Sequence, residues 1–289
     1  MAIPQALQIL STDTRLDGRA TKATRDFVLS FPAGRGVVFL EHGQTHVLAS
    51  AQLSVVHSTS WRTGRLSVRC VLPQDLLETI EHANLDSIMA NAFARDAIVP
   101  RETLSIIPRC LHFAITCVVD VLSDDGGLRD ACIVAAGVAI YHMGLPNVTD
   151  CRSLDGVDLQ ELSQQILKRP RTEYVTMRFL PLSVTFGHVR KEEYEGGYIP
   201  PEKLVDCTHE ELECCESCTT IILDKAGMAT GVYRYIGMST STIGFVDLMI
   251  EAAEAMGGIA EALERAVNED VVRRREEAIE QVKQGSYAT

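Results

Sequence analysis

The chain has 289 residues, of which 46% are hydrophobic and 23% charged, a composition typical of globular proteins that bury a sizeable core. Its formal net charge of −12 argues against a protein that coats nucleic acid through bulk positive charge, although it allows a local basic patch. The first residues resemble no secretion signal and no stretch approaches a membrane span, so we expect the nine cysteines to be reduced thiols.

Apolar and polar residues alternate in the first part of the chain. Two extended runs within GVVFLEHGQTHVLASAQLSVV, joined at residues 43–45, predict a β-hairpin. A polar loop and a strand follow in WRTGRLSVR, and apolar spacing predicts a helix over residues 76–95. The alternation in LHFAITCVVDVL predicts a strand that presents one apolar face to a sheet, formed by Phe113, Ile115, Cys117, Val119 and Val121.

The strongest helical signal follows Arg129. Small and apolar residues recur there at spacings of three and four and form one stripe: Cys132, Ala135, Ala136, Ala139, Ile140 and Met143. Residues 147–175 are polar and predict a connector with a short helix near residues 159–167. LPLSVTFGHV then predicts a strand, and CTTIIL and GVYRYIG predict a hairpin around residues 224–227.

A long helix is predicted at the end of the chain. Ser241 or Thr242 would cap it. Its buried face would contain Val246, Met249, Ile250, Ala253, Met256 and Leu263. The charged tail after residue 267 would extend this helix into solvent and fray. Because strands precede helices in each half of the chain, the expected fold class is α+β.

Several short motifs occur in a particular order along the chain: RLDGR, HGQTHVLAS, DVLSDDGGLRDACIVAAGVAIYHMGLP, LPLSVTF, LVDCTHEELE and TTIILDKAG. Each is weak alone, but the ordered set, over residues 15–264, resembles the RNase PH family. The resemblance implies the RNase PH fold, which is ribosomal protein S5 domain 2-like, and assembly as one domain of a six-membered ring. It also implies an N-terminal extension at 1–14, an RNase PH-like domain at 15–267 and a charged tail at 268–289. The domain would have halves at about 15–146 and 176–267, joined by the connector 147–175.

Active members of this family are 3′-to-5′ exoribonucleases that cleave RNA with inorganic phosphate. This reaction needs acids near the scissile bond to hold a metal ion or move a proton. Active members supply two aspartates six residues apart, and the resemblance places Leu212 and Cys218 at those positions. Neither residue can act as a carboxylate. A register shift of two residues would bring Glu210 and Glu216 to the same spacing, so an active phosphorolytic exoribonuclease is the alternative.

The family's phosphate site combines a glycine pair, a small hydroxyl residue, an arginine and a helix N-terminus, whose free amides favour anions. Gly126, Gly127 and Arg129 match this pattern, whereas Leu128 replaces the hydroxyl residue. Asp130 follows, and its carboxylate would either compete with phosphate for the helix end or cap the helix and pair with Arg129. We interpret the stretch as a vestigial phosphate site that now serves structure.

Three stretches resemble the non-catalytic subunits of the eukaryotic exosome ring: VDCTHEELE, DGGLRDA and RETLSIIPRC. The resemblance implies a structural and RNA-guiding role in 3′-to-5′ RNA processing and degradation, including that of ribosomal RNA, with no catalytic residue, metal or cofactor of its own. The implied partners are other RNase PH-type ring subunits, S1/KH cap subunits and RNA, without any membrane. The implied locations are the nucleus, the nucleolus and the cytoplasm.

Basic residues that would still contact RNA lie in two places. Arg62, Arg65 and Arg69 lie in WRTGRLSVR, which the resemblance places in a loop near the central pore of ring members, and Arg95 is the last residue of the first predicted helix. Arginine at a pore can pair with passing phosphates. The alternative is a solvated loop whose charges face water. Trp61 beside them would stack on a base or pack internally.

A cysteine group near the second half of the domain allows two interpretations. Its members are Cys207, Cys214, Cys215 and Cys218, with His209 nearby. They would supply zinc ligands, as in a zinc-dependent RNA-binding domain, or they would pack as small apolar thiols. Asp124 and Asp125 are explained by turn formation and helix capping rather than by a metal site.

Overall fold

The computed structural model describes residues 15, 17–20, 22–58, 64–73, 82, 84–94, 98–152, 158–189, 203–235 and 242–286. Within these ranges a large sheet and a smaller sheet both pack on one central helix. The predicted α+β class follows from this arrangement.

The larger sheet has the strand order β1-β2-β3-β6-β4, with β5 pairing to β6. Within the described chain, β4 and β6 form the only parallel pair of this sheet, and its other pairs are antiparallel. Its strands are β1 (Phe27–Ser30), β2 (Val37–His42), β3 (Thr45–His57), β4 (Arg65–Val71), β5 (Ser105–Ile107) and β6 (Leu111–Ser123).

The predicted first hairpin is confirmed as β2 and β3. His42 pairs directly with Thr45, so Gly43 and Gln44 form the turn. Gly43 has φ +63°, and a Cβ there would lie 2.6 Å from Cδ of Arg25. This turn therefore needs glycine both for its backbone and for the close approach of the arginine.

The predicted face of β6 is also confirmed. Phe113 and Ile115 are buried, as are the other three side chains of the predicted face, whereas Thr116 and Leu122 on the opposite face are exposed. The alternation places the apolar set on the core side because successive strand side chains point to opposite faces.

The helices are numbered α1 to α6 along the described chain. The first is α1 (Leu85–Ala94), and the central helix is α2 (Leu128–Met143). Every residue of α2 except Tyr141 is buried. The predicted buried surface of the helix, a single apolar stripe, was therefore too narrow. The strands β2, β3 and β6 cover one side of the helix, and β9 of the smaller sheet covers another. Gly137 lets the Pro181 ring pack closely against the helix, since a Cβ at this position would lie only 2.7 Å from the ring.

The smaller sheet has the order β10-β9-β11-β12, with all pairs antiparallel. Its strands are β9 (Leu182–Val189), β10 (Lys203–Val205), β11 (Cys215–Leu223) and β12 (Ala229–Tyr235), with the short helix α4 (His209–Leu212) between β10 and β11. The predicted hairpin around residues 224–227 is confirmed. The connector holds α3 (Leu159–Lys168), as predicted, and β8 (Arg171–Glu173), which pairs with β7 (Leu145–Pro146) just before the connector.

The C-terminal helical region is divided into α5 (Thr242–Ala255) and α6 (Ile259–Ser286) at a turn where Gly258 has φ +79°. The predicted buried face was partly wrong, since Val246 is 48% exposed and Ile250 is 53% exposed. Leu248 and Ala252 are buried instead, on nearly the opposite side of the helix. Apolar residues occur on both sides of α5, so periodicity alone could not choose between them.

The structure also includes the predicted C-terminal tail and part of the first predicted helix. The tail remains helical to Ser286, and its residues 275–280 are exposed, so the expected solvated helix is present and no fraying is seen in the described part. The helix predicted at 76–95 is described only as α1, whose predicted apolar residues from Leu85 to Phe93 are buried. No helix among the described residues is both long and apolar enough to cross a membrane.

Candidate functional site

The turn between β6 and α2 packs directly against the segment that follows β10. Gly126 and Gly127 both have positive φ, 81° and 65°. A Cβ on Gly126 would lie 2.1 Å from the carbonyl oxygen of Cys207, and one on Gly127 would lie 2.7 Å from Oδ1 of Asp206. The glycine pair thus lets this segment lie next to the N-terminus of the helix.

Asp206 is the centre of a buried polar cluster at this point. Its Oδ1 accepts from Nη2 of Arg25 at 2.6 Å and lies 3.0 Å from Nε2 of His42. Its Oδ2 accepts from the backbone N–H of Arg25 at 2.7 Å and from Nη1 of Arg19 at 2.8 Å. Burial opposes ionisation of Asp206, but the charges and hydrogen bonds of His42 and Arg25 outweigh it and hold its pKa well below the usual value.

A second buried ion pair lies beside Asp206. Nε of Arg15 donates to Oε1 of Glu211 at 2.9 Å, and its other nitrogens donate to the carbonyl oxygens of Val205 at 2.6 Å and Asp206 at 2.7 Å. Arg15 and Glu211 are each 1% exposed. RLDGR and LVDCTHEELE, which are far apart in sequence, are therefore joined by charged contacts. We refer to Arg15, Arg19, Arg25, His42, Asp206 and Glu211 as the Asp206 cluster.

Sequence reasoning missed the Asp206 cluster. The signal available was the set of charged residues inside the motifs RLDGR and LVDCTHEELE, but their pairing depends on contacts across the whole domain. The cluster occupies the space beside Gly126 and Gly127 with side chains that already satisfy one another. In the isolated chain this end of the helix is covered by protein.

The remaining residues of the vestigial phosphate site lie inside the molecule. Leu128 and Arg129 are both 0% exposed, and Nη1 of Arg129 lies 3.5 Å from Oγ1 of Thr220. The arginine therefore points among the strands of the smaller sheet. In the described chain its guanidinium is not on the surface.

Asp130 binds strand β9 rather than capping the helix. It accepts from Oγ of Ser183 at 2.6 Å, from the backbone N–H of Thr185 at 2.7 Å and from Oγ1 of Thr185 at 3.0 Å. The N-cap residue is Gly127, without a side-chain hydrogen bond, so the predicted capping role of Asp130 was wrong. Burial raises the pKa of Asp130 to about 6, although the hydrogen bond from Ser183 opposes this effect.

The positions compared with the catalytic aspartates hold apolar side chains. Leu212 on α4 is 6% exposed and Cys218 on β11 is 0% exposed. Of the alternative pair, Glu210 is exposed on α4, and Glu216 lies at an irregularity in the pairing of β11 with β9. No group of three or more His, Cys, Asp or Glu side chains in the described ranges is arranged to hold a metal ion.

Two of the predicted RNA-binding arginines lie on β4. Arg65 and Arg69 are exposed, and the strand alternation places them on one face, about 13 Å apart at about 3.3 Å per residue. The strand is at the edge of the larger sheet, beside β6. Arg62, Arg95 and Trp61 lie outside the described residues.

All nine cysteines are free thiols, and the four of the predicted cysteine group are buried. Sγ of Cys207 and Sγ of Cys215 lie 2.5 Å and 2.6 Å from where a Cβ of Gly187 would be, so both thiols occupy the space that this glycine leaves. A hydrogen bond with Cys207, together with burial, raises the pKa of Cys215. This packing favours the interpretation of the group as buried apolar thiols.

Several known proteins are similar in sequence to this chain. Residues 18–146 match the 3′ exoribonuclease family, domain 1, which is the RNase PH family. Exosome complex component rrp45 of Schizosaccharomyces pombe is 23% identical over 280 residues, 92% of this chain and 89% of that protein. RRP45 of Saccharomyces cerevisiae is 22% identical over 290 residues, covering 94% and 92%. RRP45 of Bos taurus is 23% identical over 228 residues, and this chain spans only 48% of its length.

Solved structures agree with the sequence matches. A chain of the archaeal exosome core superposes with a TM-score of 0.67 at 18% identity, covering 91% of this chain and 94% of that one. A chain of the Archaeoglobus fulgidus exosome with RNA bound to the active site gives 0.66 at 18% identity, covering 90% and 95%. The expected α+β RNase PH fold is therefore confirmed.

Proposed function

We propose that this chain, which carries an RNase PH domain at residues 18–146 and has the RNase PH fold, is a non-catalytic subunit of the RNA exosome core. The observation that carries the proposal is the match to two yeast exosome components along nearly their whole length, 89% and 92%. In this role the chain would contribute structure and guide RNA during 3′-to-5′ processing and degradation.

The absence of catalysis is supported by the residues at the compared acid positions and at the vestigial phosphate site. Leu212 and Cys218 offer no carboxylate to hold a metal ion or move a proton. Arg129 is buried, and the Asp206 cluster fills the space beside the glycine pair. Attack by phosphate would require an open anion site close to acids, and these residues provide neither in the isolated chain.

RNA guidance would use the arginines of β4. Arg65 and Arg69 project from an edge strand on the same face, where two phosphates of a single strand could pair with them. Arg62 and Arg95 remain predicted RNA contacts from the sequence and lie outside the described residues. An acidic chain can serve in this way because only the surface that faces RNA needs positive charge.

The proposed partners are other RNase PH-type ring subunits, S1/KH cap subunits and RNA, in the nucleus, nucleolus and cytoplasm. Exposed apolar side chains on the chain suit large subunit contacts, among them Val246 and Ile250 one turn apart on α5. A ring subunit would cover such residues with its neighbours. For this reason we expect the chain to be poorly soluble when it is purified without its partners.

An activity assay tests the non-catalytic role. Purified chain would be incubated with end-labelled oligoadenylate and inorganic phosphate, and nucleoside diphosphate release would be measured. We expect no phosphate-dependent release. Release that disappears in both Glu210→Gln and Glu216→Gln would overturn the proposal. Both variants should fold, because neither side chain is fully buried. An active RNase PH serves as the positive control for the substrate.

A further inference from the structure

Two cysteines outside the predicted cysteine group are in contact across two elements of the fold. Cys70 lies on the edge strand β4 and Cys132 lies on the central helix α2. Their Sγ atoms are 3.9 Å apart. Cys70 is partly exposed, whereas Cys132 is 0% exposed.

We infer that Cys70 and Cys132 form a dithiol that a small peroxide converts to an intramolecular disulfide. The Cys70 sulfur attacks one oxygen of hydrogen peroxide as its thiol proton is lost, the O–O bond breaks, and the sulfur becomes a sulfenic acid, while the other oxygen leaves as hydroxide and takes up that proton to give water. The thiol of Cys132 then attacks that sulfur, an S–S bond forms, and the sulfenic oxygen leaves as a second water. Two thiols are oxidised and one hydrogen peroxide is reduced to two waters.

The geometry requires only a local movement. A disulfide bond is about 2.05 Å long, so the two sulfur atoms must approach by about 2 Å in total. One partner is on a strand at the sheet edge, where the described chain provides only β6 as a paired strand. The backbone N–H of Cys70 also donates to Oδ1 of Asp86 on α1 at 2.9 Å, so the approach would come mainly from rotation of the Cys70 side chain.

Access decides which thiols react. Cys70 is partly exposed and so can be reached by a small peroxide, while the buried Cys132 beside it is the resolving thiol. Cys117 differs, since burial raises its pKa to about 12 and leaves it protonated. Cys110 is partly exposed as well, so the expectation of a linked pair at Cys70 rests on its access together with its contact to Cys132.

Cys207 and Cys215 provide a natural comparison. Their sulfur atoms also lie close together, against Gly187, but both residues are buried, at 3% and 2% exposure. No peroxide can reach either thiol in the folded chain. If proximity alone determined oxidation, this pair would also form a disulfide.

Oxidation would have a structural consequence for β4. A disulfide would tie this edge strand to the central helix, and the strand carries Arg65 and Arg69. The oxidised chain should unfold at a higher temperature, because the link restricts the unfolded state. The inference about the dithiol does not depend on the exosome role of the chain.

Peptide mapping tests the inference. The full chain would be reduced, freed of reductant, exposed briefly to hydrogen peroxide, alkylated and digested without reducing agent. We expect a linked peptide pair containing Cys70 and Cys132 that disappears after reduction, while Cys207 and Cys215 are recovered as alkylated free thiols only from unfolded samples. Cys132→Ser should lose the link and leave Cys70 as a sulfenic acid that dimedone captures.

Cys207→Ser is the matched control and should retain the link. The inference is overturned if the wild-type chain shows no link between Cys70 and Cys132 while Cys70 remains alkylatable or is oxidised further. It is also overturned if Cys207 and Cys215 form the main disulfide in folded protein. The wild-type measurement decides the question even if a serine variant does not fold.

Discussion

His142 at the end of the central helix α2 and Asp270 on α6 are joined by a buried hydrogen bond of 3.0 Å between Nε2 and Oδ2. The backbone N–H of Gly36 donates to Nδ1 of His142 at 3.1 Å, so Nδ1 is the acceptor and Nε2 carries the proton. Nε of Arg274 also donates to Oδ2 of Asp270, at 2.5 Å. This contact fixes the C-terminal helix to the core with a neutral imidazole.

The first prediction concerns pH. Burial lowers the pKa of His142 to about 4, against the opposing effect of Asp270 and with Arg35 and Arg274 adding to the lowering. Because the unfolded histidine titrates near about 6.5, the unfolded state binds more protons between the two values. Neutral His142 thus contributes its full stability above the unfolded pKa, and this contribution is lost as the pH falls toward about 4. The free energy of unfolding decreases by at most about 3 kcal/mol over this range.

Thermal unfolding of wild type, His142→Gln and His57→Gln at pH 7 and pH 5 measures this effect. His57 is exposed and serves as the control. We expect wild type and His57→Gln to lose more stability at pH 5 than His142→Gln does. Asp130 has its pKa raised and acts in the opposite direction, but it does so equally in all three chains. An identical loss in His142→Gln would contradict the assignment.

The second prediction concerns the charge at the centre of the Asp206 cluster. Asp206→Asn removes a carboxylate that is 2% exposed and leaves Arg19 and Arg25 without their shared partner. Breaking a buried pair from one side costs about 3–5 kcal/mol. Asp125→Asn is the matched control, since its exposed carboxylate lies 3.6 Å from the same Arg25, and such pairs contribute at most about 1 kcal/mol.

Urea unfolding monitored by circular dichroism compares these two variants with the wild type. The account expects a much larger fall in the unfolding midpoint for Asp206→Asn than for Asp125→Asn. Equal and small effects in the two variants would show that the cluster is solvated and does not hold the two motifs together.

The third prediction separates backbone strain from steric overlap at the glycine pair. Gly126 and Gly18 have nearly the same φ, +81° and +82°, but a Cβ on Gly126 meets Cys207 at 2.1 Å whereas one on Gly18 meets nothing within 4 Å. Gly18→Ala should cost about 1–2 kcal/mol from the left-handed backbone alone. Gly126→Ala should cost distinctly more and lower the yield of soluble protein.

Denaturation midpoints and soluble yields of the two alanine variants provide the measurement. Similar values for both would mean that the segment at Cys207 can move away from the helix N-terminus. In that case the space beside Gly127 would be able to open, and the closed site would no longer argue against phosphate binding.

The fourth prediction concerns RNA and applies to the assembled particle. Replacing Arg65 and Arg69 together with alanine should weaken RNA binding and reduce the dependence of log Kd on log salt by about two, because each lost phosphate contact lowers the slope by about one. Arg234→Ala on β12 is the control, since Arg234 is an exposed arginine on the other sheet. Fluorescence anisotropy over a salt series gives both slopes. Unchanged slopes in the double variant would favour solvated side chains.

The sequence predicted the strands and the central helix well because their patterns are local. The alternation in β6 and the turn at Gly43 can be found without knowing what packs against them. The face of α5 could not be predicted, because Val246 and Leu248 are equally apolar and only the position of β11 decides which is buried. The Asp206 cluster was missed for a similar reason, since its residues come from segments far apart in sequence, with Arg15 and Glu211 separated by 196 residues.

The central claim is membership in a heteromeric exosome ring, and native mass spectrometry of the tagged chain, recovered gently from the cells that encode it, tests it most directly. The account predicts a particle that contains several different RNase PH-type subunits, one copy of this chain and S1/KH cap proteins. A homohexamer of this chain, or the chain alone on RNA, would contradict the account and would direct attention to Glu210, Glu216 and Arg129 as parts of an active site.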